Sequence, residues 1–181
     1  MAAAPVTVRP VRSRADRKAF VDLAWDVYRD DPAWVPPLKA EVHGLLDPKK
    51  NPWFEHARAE LWLAERNGRP VGRISAQVDA LVQEQMGAGT GQWGFLEALH
   101  EEAAAALLAT AEQWLLGQGM SRALGPFSLS VWDEVGLEVH GHSEPPTVMM
   151  GHHRPEYQRW VEAAGHAKAR DLLTYELDIA N

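Results

Sequence analysis

The sequence predicts an α/β fold in which helices flank a mixed sheet. Three observations predict it. Two strand-like segments are joined by Asn67-Gly68, the dipeptide typical of a hairpin turn. One long segment repeats apolar residues at helical spacing, and helices separate the remaining strands. No repeat or Ser/Gly-rich linker divides the 181 residues, so residues 1–181 are expected to form a single domain.

The N-terminal part is predicted to contain one strand and two helices. The strand is expected at Val6–Val11, and Ser13 is the expected N-cap of the helix that follows. This helix should end near Pro32, because the residue before a proline disfavours helical geometry. A second, short helix is expected from Pro37 to about Leu46.

The middle of the chain is predicted to be mainly β. Two strands, Ala59–Glu65 and Val71–Asp79, flank the hairpin turn. The glycine-rich segment Gln83–Gly91 is expected to form a loop, and a strand is expected at Gln92–Leu96.

The clearest helix is predicted from about Glu101 to Leu116, where one apolar stripe precedes the helix-ending Gly117. A strand at Leu124–Leu129 follows. A helix is expected from Pro155 to just before Gly165, and an alternating pattern predicts a last strand at Ala169–Ile179.

Composition excludes several classes of function. The 25 acidic and 18 basic side chains give a net charge of −7, which argues against general nucleic-acid binding. The absence of cysteine excludes disulfides, thiolate zinc sites and a cysteine nucleophile. No apolar run reaches the roughly 18 residues of a membrane span, so we expect a cytoplasmic protein without one.

Four segments carry a resemblance to a known family. With the order of elements, they make the chain similar to the GNAT superfamily of acyl-CoA N-acyltransferases, and in particular to a bacterial GNAT-like family of poorly defined activity. The segments are Asp31–Leu38, Leu46–Ala57, Gly68–Ile74 and Gly125–Ser130. The resemblance covers nearly the whole chain and implies that it matches the N-terminal half of a two-half protein.

The resemblance implies a fold, a reaction and partners. The fold is a largely antiparallel, twisted sheet flanked by helices. The reaction is acyl transfer from a thioester to an amine, with acyl-CoA as a cosubstrate and no tightly bound cofactor. The implied partners are the acyl donor, the amine acceptor, and either a second GNAT-like half or a second copy in a homodimer.

The superfamily holds the CoA pyrophosphate on backbone N–H groups before its central helix, in a basic and glycine-rich loop. The matching segment here, Glu97–Ala104, lacks the basic residue and both glycines. No Lys or Arg occurs from Ile74 to Ser121, so this end of the domain is expected to repel a polyanionic coenzyme. The segment is either an acid-started helix or a phosphate cradle. The residues predicted to bind the coenzyme are Leu96, Glu97, Ala98, Ser128 and Ser130.

Four residues are predicted to be catalytic. Glu134, His140 and His142 lie in a polar loop segment, where one of them could take a proton from the attacking amine. Tyr157, in the last helix, could protonate the departing thiolate. The alternatives are a solvated loop, a histidine metal site built from His140 to His153, and a core role for the tyrosine.

Two hypotheses follow for the function. The first is an acyl-CoA-dependent N-acyltransferase. The second is a non-catalytic GNAT-like half that acts as a structural or dimerisation module, which the missing phosphate loop favours.

Overall fold

A computed structural model describes residues 4–175 and 177–179. It contains a five-stranded sheet whose spatial order, β1-β2-β3-β4-β5, follows the chain. The first four strands pair antiparallel, and β5 pairs parallel to β4. The predicted mixed, largely antiparallel sheet is therefore confirmed. The strands are β1 Thr7–Pro10, β2 Ala57–Arg66, β3 Arg69–Asp79, β4 Thr90–Ala98 and β5 Arg122–Leu124.

Helices cover both faces of the sheet, because side chains alternate between faces along each strand. On β2, Trp62 packs with α4, whereas the adjacent Leu61 and Leu63 pack with α1. None of the helices in the described ranges is long and apolar enough to cross a membrane. The helices are α1 Arg14–Val27, α2 Lys39–Leu45, α3 Ala80–Met86, α4 Glu101–Gly117 and α5 Tyr157–Ala163, with a 3₁₀ turn at Pro52–Glu55.

The elements with strong local signals form as predicted. Ser13 caps α1 in a capping box with Asp16: the Ser13 side chain accepts from the Asp16 N–H, and the Asp16 carboxylate accepts from the Ser13 N–H. At the β2–β3 turn, Asn67 and Gly68 both have positive φ, 53° and 72°, as the tight hairpin requires.

Two predictions about the second half of the sheet are wrong. Within the predicted loop Gln83–Gly91, residues up to Met86 belong to helix α3, which Asp79 caps by accepting from the Leu81 N–H at 2.8 Å. The strand predicted at Leu124–Leu129 ends at Leu124, and Phe127 makes only a single bridge to Val135. Pro126 has no N–H with which to continue the ladder.

The strand predicted at Ala169–Ile179 is also absent from the described part of this segment, residues 169–175 and 177–179. Its alternating apolar side chains are exposed: Leu173 is 71% and Tyr175 87% exposed. An alternating pattern indicates a strand only where a neighbouring strand and a core cover it, and none of the described residues does so here.

The sheet opens where β4 ends. Arg73 and Ser75 of β3 face Glu97 and Gly94 of β4, so β4 holds one extra residue in a β-bulge. Phe95 lies in this bulge with a φ of 51°, a conformation that bulky residues rarely adopt outside functional or strained sites. Because β5 pairs only with Thr90–Gln92, the last part of β4 faces an opening.

Candidate functional site

A cavity of about 620 Å³ lies between α1, α2, the bulged part of β4 and the loop that follows β5. This volume is within the range of small-molecule sites. We call residues 125–156 the site loop, since it forms one wall of the cavity. The lining is mainly apolar, and its polar members are Glu41, Lys50, Asn51, Arg73, Ser128, Asp133 and Glu134.

Arg73 lies at the base of the cavity and is 7% exposed. Its guanidinium lies over the rings of Phe20 and Phe95, at 5.2 and 5.7 Å, and donates to the Phe20 carbonyl oxygen at 2.8 Å. Its Nη2 is 3.6 Å from Oε1 of Glu97. A buried arginine therefore compensates a buried carboxylate across β3 and β4, as buried charges require.

Glu97 accepts hydrogen bonds from two tyrosines. The Tyr28 and Tyr157 hydroxyls lie 2.8 and 2.9 Å from the same oxygen, Oε2. Burial raises the pKa of Glu97 to about 7, although Arg73 and both tyrosines lower it. Glu97 is thus a carboxyl group that changes its charge near neutral pH.

The two tyrosines remain protonated. Burial, followed by the charge of Glu97, raises the pKa of both Tyr28 and Tyr157 well above the ordinary value. The Tyr157 oxygen also accepts from the Ala98 N–H at 2.7 Å, so α5 is fixed to the end of β4. The structure therefore brings together Glu97, Ala98 and Tyr157, three of the residues predicted from the sequence.

Two further predicted residues, Ser128 and Glu134, line the cavity. The Ser128 N–H donates to the Glu134 carbonyl oxygen at 2.8 Å. Glu134 is exposed as a residue, but protein atoms surround its carboxyl group. The resulting desolvation raises the pKa of Glu134, and the charge of Asp133 raises it further. Arg73 and a hydrogen bond with Ser128 lower the same pKa.

The remaining predicted residues lie away from this cluster. His140 is exposed on the site loop, and His142 is half-buried with Nδ1 2.9 Å from the His153 carbonyl oxygen. Ser130 donates to Asp133 at 2.6 Å, and Leu96 is buried in the core. Among residues 4–175 and 177–179, no cluster of His, Asp or Glu side chains has a metal-binding arrangement.

In the folded protein, basic residues from other elements pair with the acidic residues at the start of α4. Glu101 pairs with Arg159 of α5 at 2.9 Å, and Glu102 pairs with Arg66 of β2. His100, the N-cap residue, makes no side-chain capping bond. The expectation that this end lacks cations is therefore wrong, because two arginines distant in sequence reach it.

Sequence reasoning missed the residues that organise the cluster. Arg73 lies inside a segment that carries the family resemblance but was assigned no role, and Tyr28 was not identified at all. One signal was available for Arg73, since it is the one cation inside a strand otherwise free of charge from Val71 to Val78. No local signal marks Tyr28, whose partners Glu97 and His152 are 69 and 124 residues away.

No protein-family model matches the chain. A bacterial ceramide synthase of Caulobacter vibrioides is 44% identical over 177 residues, which are 97% of this chain and 46% of that protein. Protein YghO of Escherichia coli is 41% identical over 169 residues, which are 93% of this chain and 43% of YghO. The chain spans somewhat less than half the length of these curated relatives.

Solved structures that resemble the chain are GNAT acetyltransferases. A predicted acetyltransferase of Clostridium acetobutylicum, solved with acetyl-CoA, aligns with a TM-score of 0.58 at 10% identity and covers 94% of this chain and 96% of that one. At such low identity the likeness concerns the fold. The sheet order, the bulged fourth strand and these alignments together show that the chain has the GNAT fold.

Proposed function

We propose that this chain is an acyl-CoA-dependent N-acyltransferase domain. The observation that carries the proposal is the cavity beside the open end of β4, which contains Arg73, Ser128 and Glu134. The GNAT fold and the acetyl-CoA bound to a protein of the same fold support the choice of acyl donor. They favour catalysis over the alternative of a purely structural half.

In the proposed reaction, the amine nitrogen attacks the thioester carbonyl carbon. A C–N bond forms, the C–S bond breaks, and the amine proton passes to Glu134, whose raised pKa suits a general base. The departing thiolate takes its proton from water, because Tyr157 is buried, does not line the cavity and already bonds Glu97 and Ala98. His140 and His142 have no part in this assignment, since neither lines the cavity.

The coenzyme phosphates are proposed to bind at the start of α4. Backbone N–H groups there lie at the positive end of a helix of 17 residues. Arg66 and Arg159 now pair with Glu102 and Glu101, and they can turn to the phosphates.

Calorimetric titration with acetyl-CoA and with a long-chain acyl-CoA tests this assignment. We expect saturable binding, with a Kd about 10-fold higher in the double variant Arg66→Gln/Arg159→Gln. The difference in Kd between the variant and the wild type should shrink at high salt, because ions screen exposed charges. The matched control is Arg12→Gln, which removes a cation that pairs with Glu60 instead. The absence of heat with either coenzyme would contradict the proposal.

The acceptor is proposed to be a long-chain amine. Ceramide is the amide of a fatty acid and a long-chain amino alcohol, and the ceramide synthase relative is 44% identical. An alkyl chain fits the cavity, because ten of its lining residues are apolar or aromatic: Val21, Ala24, Trp25, Pro37, Val42, Leu45, Pro52, Phe95, Trp132 and Met149.

Lengthening the alkyl chain of a primary amine acceptor is expected to lower KM about fourfold per added CH₂ until the cavity is full, since each buried CH₂ contributes about 0.8 kcal/mol. Val42→Asp, on the cavity wall, should abolish this dependence. Leu81→Asp, an exposed position on α3, should preserve it. Equal KM values for short and long amines would contradict the proposed acceptor class.

Glu134→Gln is expected to lower kcat/KM for acyl transfer about 100-fold, because the amide cannot accept the amine proton. The loss should lie in kcat, measured by release of free CoA thiol. Glu144→Gln, an exposed residue of the same loop, should retain activity. An unchanged rate in Glu134→Gln would remove this residue from the mechanism.

A further inference from the structure

The Tyr28 hydroxyl lies between two acceptors. It is 2.8 Å from Oε2 of Glu97 and 3.0 Å from the carbonyl oxygen of His152, in the site loop. A phenol has a single hydrogen, so it donates to only one of them at a time. The ring cannot move aside easily, because it is 2% exposed and stacks on Trp34 with centroids 5.2 Å apart.

The protonation of Glu97 determines which acceptor is used. When Glu97 is ionised, it is the stronger acceptor and draws the Tyr28 hydrogen. When Glu97 is protonated, its carboxyl O–H can donate a hydrogen bond to a tyrosine oxygen. The Tyr157 oxygen already accepts from the Ala98 N–H at 2.7 Å, and its hydroxyl has a second acceptor in the Ala98 carbonyl oxygen at 3.1 Å. None of the described residues donates to the Tyr28 oxygen, so that oxygen is the freer acceptor. Glu97 then donates to Tyr28, and Tyr28 donates to the His152 carbonyl.

We propose that Tyr28 is a positioning residue that ties the site loop to the sheet when Glu97 is protonated and releases it when Glu97 is ionised. The loop carries Ser128 and Glu134, so the tie controls one wall of the cavity. This role of Tyr28 does not depend on acyl transfer.

Charged and titratable groups face Glu97 from each packed element: Arg73 from β3, Tyr28 after α1, Tyr157 from α5 and Glu134 from the site loop. The switch should therefore operate near neutral pH, since burial raises the pKa of Glu97 to about 7.

The site loop makes a second polar contact near its C-terminal end, through His152. His152 lies between Asp31, 2.9 Å from Nε2, and Glu138, 3.1 Å from Nδ1. Glu138 also faces His142 at 3.3 Å and accepts from the His153 N–H at 2.9 Å. These contacts also hold the loop, so the experiment must separate them from the Tyr28 bond.

Hydrogen exchange of the whole chain, with peptides covering residues 134–156 followed by mass spectrometry, makes this separation. After correction for the intrinsic pH dependence of exchange, we expect about 10-fold lower protection at pH 8 than at pH 6, the effect of one hydrogen bond. Tyr28→Phe should show low protection at both pH values. Tyr157→Phe is the matched control, because it removes a bond to Glu97 but none to the loop, and it should keep a pH difference.

Equal wild-type protection at the two pH values would overturn the proposal. A pH difference that persists in Tyr28→Phe would overturn it as well and would assign the response to another contact of the loop. Glu97→Gln provides an independent arm, since its amide can donate to Tyr28 at any pH. It should keep the loop protected at pH 8, and a wild-type response in this variant would overturn the proposal even if Tyr28→Phe failed to fold.

Discussion

Gly94→Ala is expected to lower the free energy of unfolding by about 3 kcal/mol or more, because the added carbon overlaps the backbone of the site loop. A Cβ at this position would lie 1.7 Å from the Phe127 carbonyl oxygen and 2.3 Å from its carbon. The Phe127 carbonyl oxygen also accepts from the Gln77 side-chain amide at 2.7 Å, and the Phe127 N–H donates to the Trp93 carbonyl oxygen at 2.7 Å. Moving the loop away would break both bonds.

Urea unfolding followed by far-UV circular dichroism measures this loss. The matched control is Gly117→Ala, at the end of α4, where an added Cβ meets nothing within 4 Å. Alanine is favoured over glycine in helices, so this variant should gain about 0.5–1 kcal/mol. If Gly94→Ala unfolded at the wild-type urea concentration, the close approach of β4 and the site loop would be disproved.

The sequence correctly predicts those elements that are determined by residues close together in the chain. The Asn67-Gly68 turn and the Ser13 capping box are each set by residues within a few positions of one another. Helix α3, which contains Gln83, was missed because the glycines after it are typical of a loop. The N-cap residue Asp79 was therefore not recognised as the start of a helix. The strand predicted at Ala169–Ile179 failed because pairing depends on a distant partner that an alternating pattern does not supply.

The site was predicted less completely than the fold, for a physical reason. Ser128 and Glu134 could be found because polar residues concentrate in one segment, and both line the cavity. The charge balance at the start of α4 could not be found, because Arg66 and Arg159 arrive from β2 and α5. A segment without cations in sequence is therefore no measure of the electric field at that point in the fold.

Glu97→Gln is expected to change how stability depends on pH. The folded-state pKa of Glu97, about 7, lies above its ordinary value of 4.5. Between these values the folded protein retains a proton that the unfolded chain has released. Its contribution to stability is fully present below pH 4.5 and is lost as pH rises through 7, by about 1.4 kcal/mol per pH unit and about 3 kcal/mol in all.

Glutamine mimics the protonated acid at every pH, so the variant lacks this loss. Measured by urea unfolding, the difference in free energy between variant and wild type should move by about 2.5 kcal/mol in favour of the variant from pH 5 to pH 8. Glu55→Gln, an exposed site, should follow the wild-type curve. A difference that stays constant with pH would show that Glu97 takes up no proton on folding. The Tyr28 and Tyr157 hydrogens would then stay on its carboxylate throughout this range.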